Sequence, residues 1–262
     1  MPDKVTTVET SARTQLIAVG ETETEVRQDL AACYRLMALF GMTDLASNHI
    51  TAKVPGASGH FFINPYGMLY EEVTASSLNK VDFAGAIVAQ GNTACGVNTA
   101  GYVIHSAIHA ARSDASCVIH THTRAGVGVS CLEDGLLPLN QTALQLSDDI
   151  AYHAFEGPAT SLEERARLSD DLGRKNILIL RNHGLITCGR SIPEAFVLMY
   201  LLNCACEIQM DVLASGATIH HPSAMAIAAQ AEVMTHLRKV PRNFEWAALR
   251  RKLDRVLPGY EG

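Results

Sequence analysis

Twice in this chain a short, β-branched apolar run breaks off at histidine. Ser116-Cys117-Val118-Ile119 runs into His120-Thr121-His122, and Asn176 to Leu180 runs into Arg181-Asn182-His183-Gly184. Runs of this length and composition read as buried strands, and the longer periodic stretches between them read as helices. Gly101 to Arg112 is helical in pattern. Ser161 with Glu164 has the spacing of a capping box for a helix to about Arg174, and Ser191 with Glu194 opens a long helix that ends near Gly216. Such alternation predicts an α/β protein. It also sets both histidine elements at the C-terminal ends of apolar strands, where α/β proteins commonly place their chemistry.

The first part of the chain is different in pattern. Leu30, Tyr34, Met37 and Phe40 recur at helical spacing, with Gly41 as a stop. From His49 to Val54, apolar Ile50, Ala52 and Val54 alternate with His49, Thr51 and Lys53. A second strand, His60 to Ile63, ends in the turn Asn64-Pro65-Tyr66-Gly67. Together they read as a helix followed by a hairpin-like sheet edge. No repeat or long linker interrupts Val26 to Gly216, so 26–216 reads as one domain. Residues 1–25, rich in Thr and Glu, are expected to be a loosely ordered segment, and 217–262 an appended helical arm with a helix around Trp246 to Val256.

Composition removes several functions. An apolar content of 48% is that of a globular chain with a sizeable core. A formal net charge of −6 argues against a partner with a phosphate backbone, so no nucleic acid is expected. The apolar run Ala195 to Cys206, bounded by Glu194 and Glu207, is too short to span a bilayer. The N-terminus lacks the basic start and apolar stretch of a secretion signal, so a cytoplasmic protein with no membrane partner is expected. The seven cysteines are odd in number and scattered, which favours reduced thiols over a disulfide framework.

Among eleven histidines, His120 and His122 stand out. Two apart on a strand, their side chains share a face and can hold one ion between two imidazoles. His183, at the end of another strand, completes a three-histidine face. Three protein ligands with vacant positions suit a catalytic metal better than a structural one. His105 and His109, four apart, share a helix face; they could be a second metal pair, but the preferred reading makes one of them a hydrogen-bond partner or general base beside the site. His220 and His221 read as a solvated pair beside Pro222.

Val97-Asn98-Thr99-Ala100-Gly101 leading to His105-Ser106-Ala107-Ile108-His109, then Val118 to Thr123, then Arg181-Asn182-His183-Gly184, resemble the class II aldolase and adducin family. Ser47-Asn48-His49-Ile50 resembles that family's first substrate loop and Ile63 to Gly67 its second. The resemblance covers about Val26 to Gly216. It implies a three-layer α/β/α fold with a mixed, largely antiparallel central sheet, and a homotetramer with active sites at subunit contacts. It also implies a divalent metal on His120, His122 and His183, zinc first, with manganese, cobalt or iron as alternatives. Asn48, Gly67, Asn98, Gly101 and Gln141 fall where the family's substrate loops lie.

The resemblance breaks at one instructive place. In the sugar-phosphate aldolases a glutamate that moves protons near the metal stands where this chain has Gly101, and their tyrosine proton donor falls near Gln141. Their Ser-rich phosphate loop reads Asn98-Thr99-Ala100 here. Glycine cannot move a proton, and it is expected to leave room at the metal for a bulkier acid. The resulting expectation is a metal-dependent carbon–carbon lyase, decarboxylase-like or aldolase-like, acting on a small hydroxy or keto acid or a hydroxy-carbonyl compound. Its candidate proton carriers are His49, His105 and Tyr152. The alternatives are a metal-dependent oxygenase on the same scaffold and a non-catalytic, adducin-like interaction module.

Overall fold

The structure, a computed structural model, describes residues 22–157, 163–237 and 244–262. Most of the expected N-terminal segment, and Ser161 of the expected capping box, lie outside the described residues. The first helix begins earlier than the apolar pattern suggests. Thr22 caps α1 (Glu23–Leu39) in a reciprocal box with Glu25, so Thr22 and the three residues after it, assigned to the loose segment, are in fact its cap and first turn.

Eight strands form one sheet. They are β1 (His49–Lys53), β2 (His60–Ile63), β3 (Asn79–Asp82), β4 (Ile87–Ala89), β5 (Cys117–Thr121), β6 (Ile150–His153), β7 (Ile177–Leu180) and β8 (Gly184–Gly189), in the order β4-β3-β2-β1-β5-β8-β7-β6. Every neighbouring pair is antiparallel except β6 with β7. The expected sheet edge at β1 is instead near the sheet's middle. Its residues face β5 as well as β2, with His49 opposite His120 and Thr51 opposite Val118. Burial on both faces of β1 is the physical reason: an edge strand would leave one row of backbone groups to water.

Helices cover both faces of the sheet. Alternation along β5 sends Cys117 and Ile119 to one side and Val118 and His120 to the other. On the first side, Leu30 and Met37 of α1, Phe196 and Met199 of α6 (Ile192–Ala214) and Leu253 of α8 (Phe244–Val256) share a core with Ile50, Cys117 and Ile179. On the other, Ile104 and Ile108 of α2 (Thr99–Ala111) and Leu168 and Leu172 of α5 (Glu164–Leu172) pack on Val118, Leu178 and Ile186. The architecture is a three-layer α/β/α fold. Helices α3 (Arg124–Ser130), α4 (Gln141–Leu146) and α7 (Ala224–Leu237) complete the chain.

Two further expectations change in detail. Ser191 does cap α6 by accepting from Glu194 N at 3.3 Å, but the Glu194 carboxylate takes the backbone N–H of Arg190 at 2.7 Å and its guanidinium as well, so the reciprocal half of the box slides back one residue. The C-terminal arm belongs to the domain. Trp246 is 2% exposed, donates its indole N–H to Asp29 of α1 at 3.0 Å and packs on Phe196. Ala75 N and Ser76 N donate to the carbonyls of Tyr260 and Gly262. Trp246 is therefore a core residue of its own chain and not part of an appended arm. Helix α6 has the length and composition of a membrane span, but half of its most apolar window is buried against the sheet, as in a core helix.

Candidate metal centre

Strands β5 and β7 are both antiparallel to β8, so they point the same way and their C-terminal ends meet at one edge of the sheet. His120 lies within β5 and His122 just beyond it. His183 sits in the short connection from β7 to β8, where Asn182 takes the left-handed φ of +56° that asparagine tolerates better than most residues. Close approach of the strands fixes the rest. A Cβ on Gly184 would lie 2.4 Å from the carbonyl oxygen of Thr121 and 3.0 Å from the His122 ring, so only glycine lets β8 start this near β5.

The three imidazoles converge through the same atom. His122 Nε2 lies 2.8 Å from His120 Nε2 and 3.0 Å from His183 Nε2. Two of the three remaining ring nitrogens are already committed. His120 Nδ1 faces the Leu185 carbonyl at 3.0 Å and His122 Nδ1 faces the Asp44 carboxylate at 3.1 Å. Both of those oxygens can only accept, so the protons are on Nδ1. Burial, with the neighbouring imidazoles, pushes His120 well below the usual histidine range and His183 down to about 4, so both are neutral at physiological pH. One proton on His122 Nε2 could serve only one of its two contacts. Lone pairs therefore face each other at hydrogen-bonding distance, an arrangement that a cation resolves. The donor set fits a divalent ion: three ligand nitrogens all within 4.8 Å of one another, each oriented by a carbonyl or carboxylate where its other nitrogen is held.

A second set of histidines lies beside the first. His49, paired in register with His120, places its ring centroid 5.0 Å from the His120 ring and its Nδ1 2.8 Å from His105 Nε2. Thr51 Oγ1 lies 2.6 Å from His105 Nδ1 and 2.8 Å from His109 Nε2, and His109 Nδ1 lies 3.1 Å from the Ala115 carbonyl. Gly101 packs on this chain. A Cβ there would be 2.8 Å from His49 Cδ2, so the space expected to stand open beside the metal is filled by the His49 ring.

Other expected site residues are dispersed. Asn48 is 1% exposed, and neither its amide oxygen nor its amide nitrogen has a partner among the described residues. Asn98 opens α2 by accepting from Tyr102 N at 3.2 Å. Gly67 makes its turn at a φ of +103° with open space around it. Gln141 is exposed at the start of α4. Tyr152 does not join the histidines. Its hydroxyl accepts from Leu136 N at 3.1 Å and its ring lies under the Arg181 guanidinium, which makes it a packing residue of the β6 margin. Asp44 and Thr51 had no sequence signal, since a lone aspartate or threonine has no spacing that points to a partner.

A sheet covered by helices on both faces, with three imidazoles gathered at the ends of its strands, defines an α/β protein with a histidine triad that could hold a metal ion. The chain belongs to the class II aldolase and adducin family: the model for the class II aldolase and adducin N-terminal domain matches residues 28–210. It is 49% identical over 246 residues, covering 92% of this chain and 94% of the other, to a Pseudomonas aeruginosa protein named only provisionally as an aldolase class 2 protein. It is 50% identical over 201 residues to mouse alpha-adducin, covering 76% of this chain but 27% of the adducin. Among solved structures, an aldolase II superfamily protein from Pseudomonas syringae superposes with a TM-score of 0.85 at 45% identity, covering 93% of this chain and 98% of that one. L-fuculose 1-phosphate aldolase from Glaciozyma antarctica PI12 gives 0.70 at 27% identity, covering 83% and 91%.

Proposed function

We propose that this chain is a divalent-metal-dependent carbon–carbon lyase, with His120, His122 and His183 as ligands and a small hydroxy or keto acid, or a hydroxy-carbonyl compound, as substrate. The carrying observation is the convergence of three Nε2 atoms on one point, with the lone pairs of His120 and His122 facing each other at 2.8 Å and no proton between them. Zinc is the first choice for an all-imidazole set, with manganese, cobalt or iron as alternatives. When bound, the ion supplies Lewis-acid polarisation of a substrate oxygen. The protein's residues do the rest. The orphaned amide of Asn48 offers both a donor and an acceptor to a substrate group, because a buried amide without partners costs stability that a ligand can restore. His49 is the proton carrier, in the space where the family resemblance puts a carboxylate. Likeness to an L-fuculose 1-phosphate aldolase supports the lyase class. The absence of a side chain at position 101 favours an acid that brings its own oxygens, as a decarboxylase substrate would.

The test is elemental analysis of protein purified without added metal, for the wild type and for His120→Ala, His122→Ala and His183→Ala. About one ion per chain is expected in the wild type and a loss of at least tenfold in each variant. Full occupancy in any variant removes that residue from the set. We further propose a cytoplasmic homotetramer. Exposed Tyr200, Ile208 and Leu213 along α6 supply apolar surface for subunit contacts, and a monomeric mass by light scattering would refute it. A second reading, an interaction module, is favoured by the 50% identity to alpha-adducin. It predicts a wild type that folds and associates equally well without metal.

A further inference from the structure

The second histidine set has a direction, and its far end determines it. The Ala115 carbonyl can only accept, so His109 Nδ1 carries a proton and donates at 3.1 Å. His109 is 2% exposed and, among the described residues, has no carboxylate partner; a buried imidazolium without a counter-ion is unfavourable, so the ring is neutral and its Nε2 is bare. Thr51 Oγ1 has one hydrogen and lies 2.8 Å from that bare nitrogen, so it donates there. Its oxygen must then accept from His105 Nδ1 at 2.6 Å. His105, fully buried and neutral, is left with a bare Nε2, which accepts from His49 Nδ1 at 2.8 Å. His49, 2% exposed, is left with a bare Nε2. Each assignment follows from the one before, and no other set of neutral tautomers satisfies all four contacts.

We propose that Thr51, His105 and His109 are positioning residues forming a one-way hydrogen-bond relay, anchored on the Ala115 carbonyl, that locks His49 in its Nδ1–H tautomer and presents Nε2 as the acceptor for a substrate hydroxyl or acid proton beside the metal centre. The relay rests on the lyase reading only for what His49 accepts; the tautomer itself stands on the hydrogen bonds. Gly101 is part of the device. A Cβ there would come 3.3 Å from His49 Nε2 and closer still to the ring carbons, so a residue with a side chain would displace the ring that the relay aims. The proton-accepting atom then comes from strand β1, held from behind through α2, and not from helix α2 itself. A neutral imidazole in water favours the other tautomer, so the relay's effect is measurable without a substrate.

The full chain, labelled with nitrogen-15 in histidine, is studied both zinc-loaded and after chelator treatment, and long-range proton–nitrogen correlations read which ring nitrogen carries the proton. His49, His105 and His109 are all expected as Nδ1–H in both samples. Thr51→Val keeps the side chain's shape but removes the central donor and acceptor; His49 is then expected to sample both tautomers, and Thr51→Ser to restore the single one. A wild-type His49 protonated on Nε2 overturns the relay, as does a Thr51→Val spectrum with the His49 signal unchanged. Metal content measured on the same samples separates the two ideas. Nδ1–H at His49 in a chain that takes up none of zinc, manganese, cobalt or iron would keep the relay and sink the lyase, and Nε2–H at His49 in a metal-loaded chain would do the reverse.

Discussion

Two groups of three histidines adjoin in this fold, one gathered at the C-terminal end of β5 and the other running back along it to Ala115, and they satisfy their nitrogens in opposite ways. In the His49, His105 and His109 group every contact pairs a donor with an acceptor, through Thr51 to a backbone carbonyl. In the His120, His122 and His183 group the outer nitrogens of His120 and His122 are held by Leu185 and Asp44, so their inner nitrogens face each other as lone pairs, with His183 Nε2 closing on His122 at 3.0 Å. The first arrangement is complete as folded; the second is one that a cation would complete. Clustering alone therefore does not identify a metal site. What marks a candidate is a set of ring nitrogens oriented toward one point with too few protons to pair them.

The sharpest way to break this contrast is alanine in each group. His122→Ala should abolish metal uptake yet leave the metal-free fold nearly as stable as before, because it removes a repulsive contact. His105→Ala should do the opposite. It orphans His49 Nδ1 and Thr51 in the core, and leaving buried polar groups unpaired, plus the cavity, costs about 2–4 kcal/mol, while metal affinity should change little. Urea denaturation of chelator-treated protein, together with metal titration, reads both. Equal losses of stability in the two variants would mean that the groups are not different in kind.

A smaller effect is expected at Gly101, where the two groups adjoin. Replacing a helical glycine by alanine ordinarily stabilises by about 1 kcal/mol. Here the new Cβ would lie 2.8 Å from the His49 ring, and overpacking of this sort costs about 1–3 kcal/mol. Gly101→Ala should thus be net destabilising, and Gly101→Glu more so, with His49 driven off His105. A Gly101→Ala chain that melts higher than wild type would show that the His49 ring is free to move aside.

Acid should also separate the groups by degrees. Burial pushes His109 down to about 3 in the folded chain, with Lys53 adding to the effect. Its unfolded value is near 6.5, so above that pH both states are neutral and nothing is lost. As pH falls below 6.5 the unfolded chain takes up a proton that the folded one refuses, and stability drops by up to about 1.4 kcal/mol per pH unit for this group until pH approaches 3. His109→Gln, which has no charge to refuse, should flatten part of that slope in urea denaturation of metal-free protein at a series of pH values. An unchanged slope would mean that His109 is protonated in the fold or that the drop arises elsewhere.

How much of this was legible in the sequence follows from how far each signal reaches. The parity of His120 and His122 on a strand, and the strand end at His183, are local and could be read directly. The neighbours that give those histidines meaning are not local. Asp44 reaches His122 from a loop ahead of β1, and Thr51 is recognisable as a relay atom only once β1 lies under α2. The space at Gly101 was misjudged for the same reason: the glycine itself is visible, but the ring that fills it arrives from another strand. Trp246 looked like the head of a free arm because its partner, Asp29, lies at the opposite end of the chain. Strand β8 begins on a glycine and follows β7 almost at once, so its pattern merges with the histidine turn.

The smallest effect is expected at Asp44, and it tests whether the outer contacts of the metal group matter as the inner ones do. Its carboxylate accepts from His122 Nδ1 at 3.1 Å and is nearly half exposed, with 46% of the side chain open to water. A carboxylate behind a ligating imidazole raises its basicity and fixes its ring, and losing such a partner typically weakens metal affinity by about 10–100-fold. Solvent screening at this exposure places Asp44 at the low end. Asp44→Asn keeps an oxygen that can accept but removes the charge, and should weaken zinc affinity by about tenfold or less with the fold unaffected; Asp44→Ala should weaken it further by freeing the ring. Competition titration with a zinc-sensitive chelating dye measures both. The ordering of the two variants is the decisive part. If asparagine and alanine weakened zinc equally, charge and not ring orientation would be what Asp44 contributes, and the proton on His122 Nδ1 would have to be held in place by the metal itself.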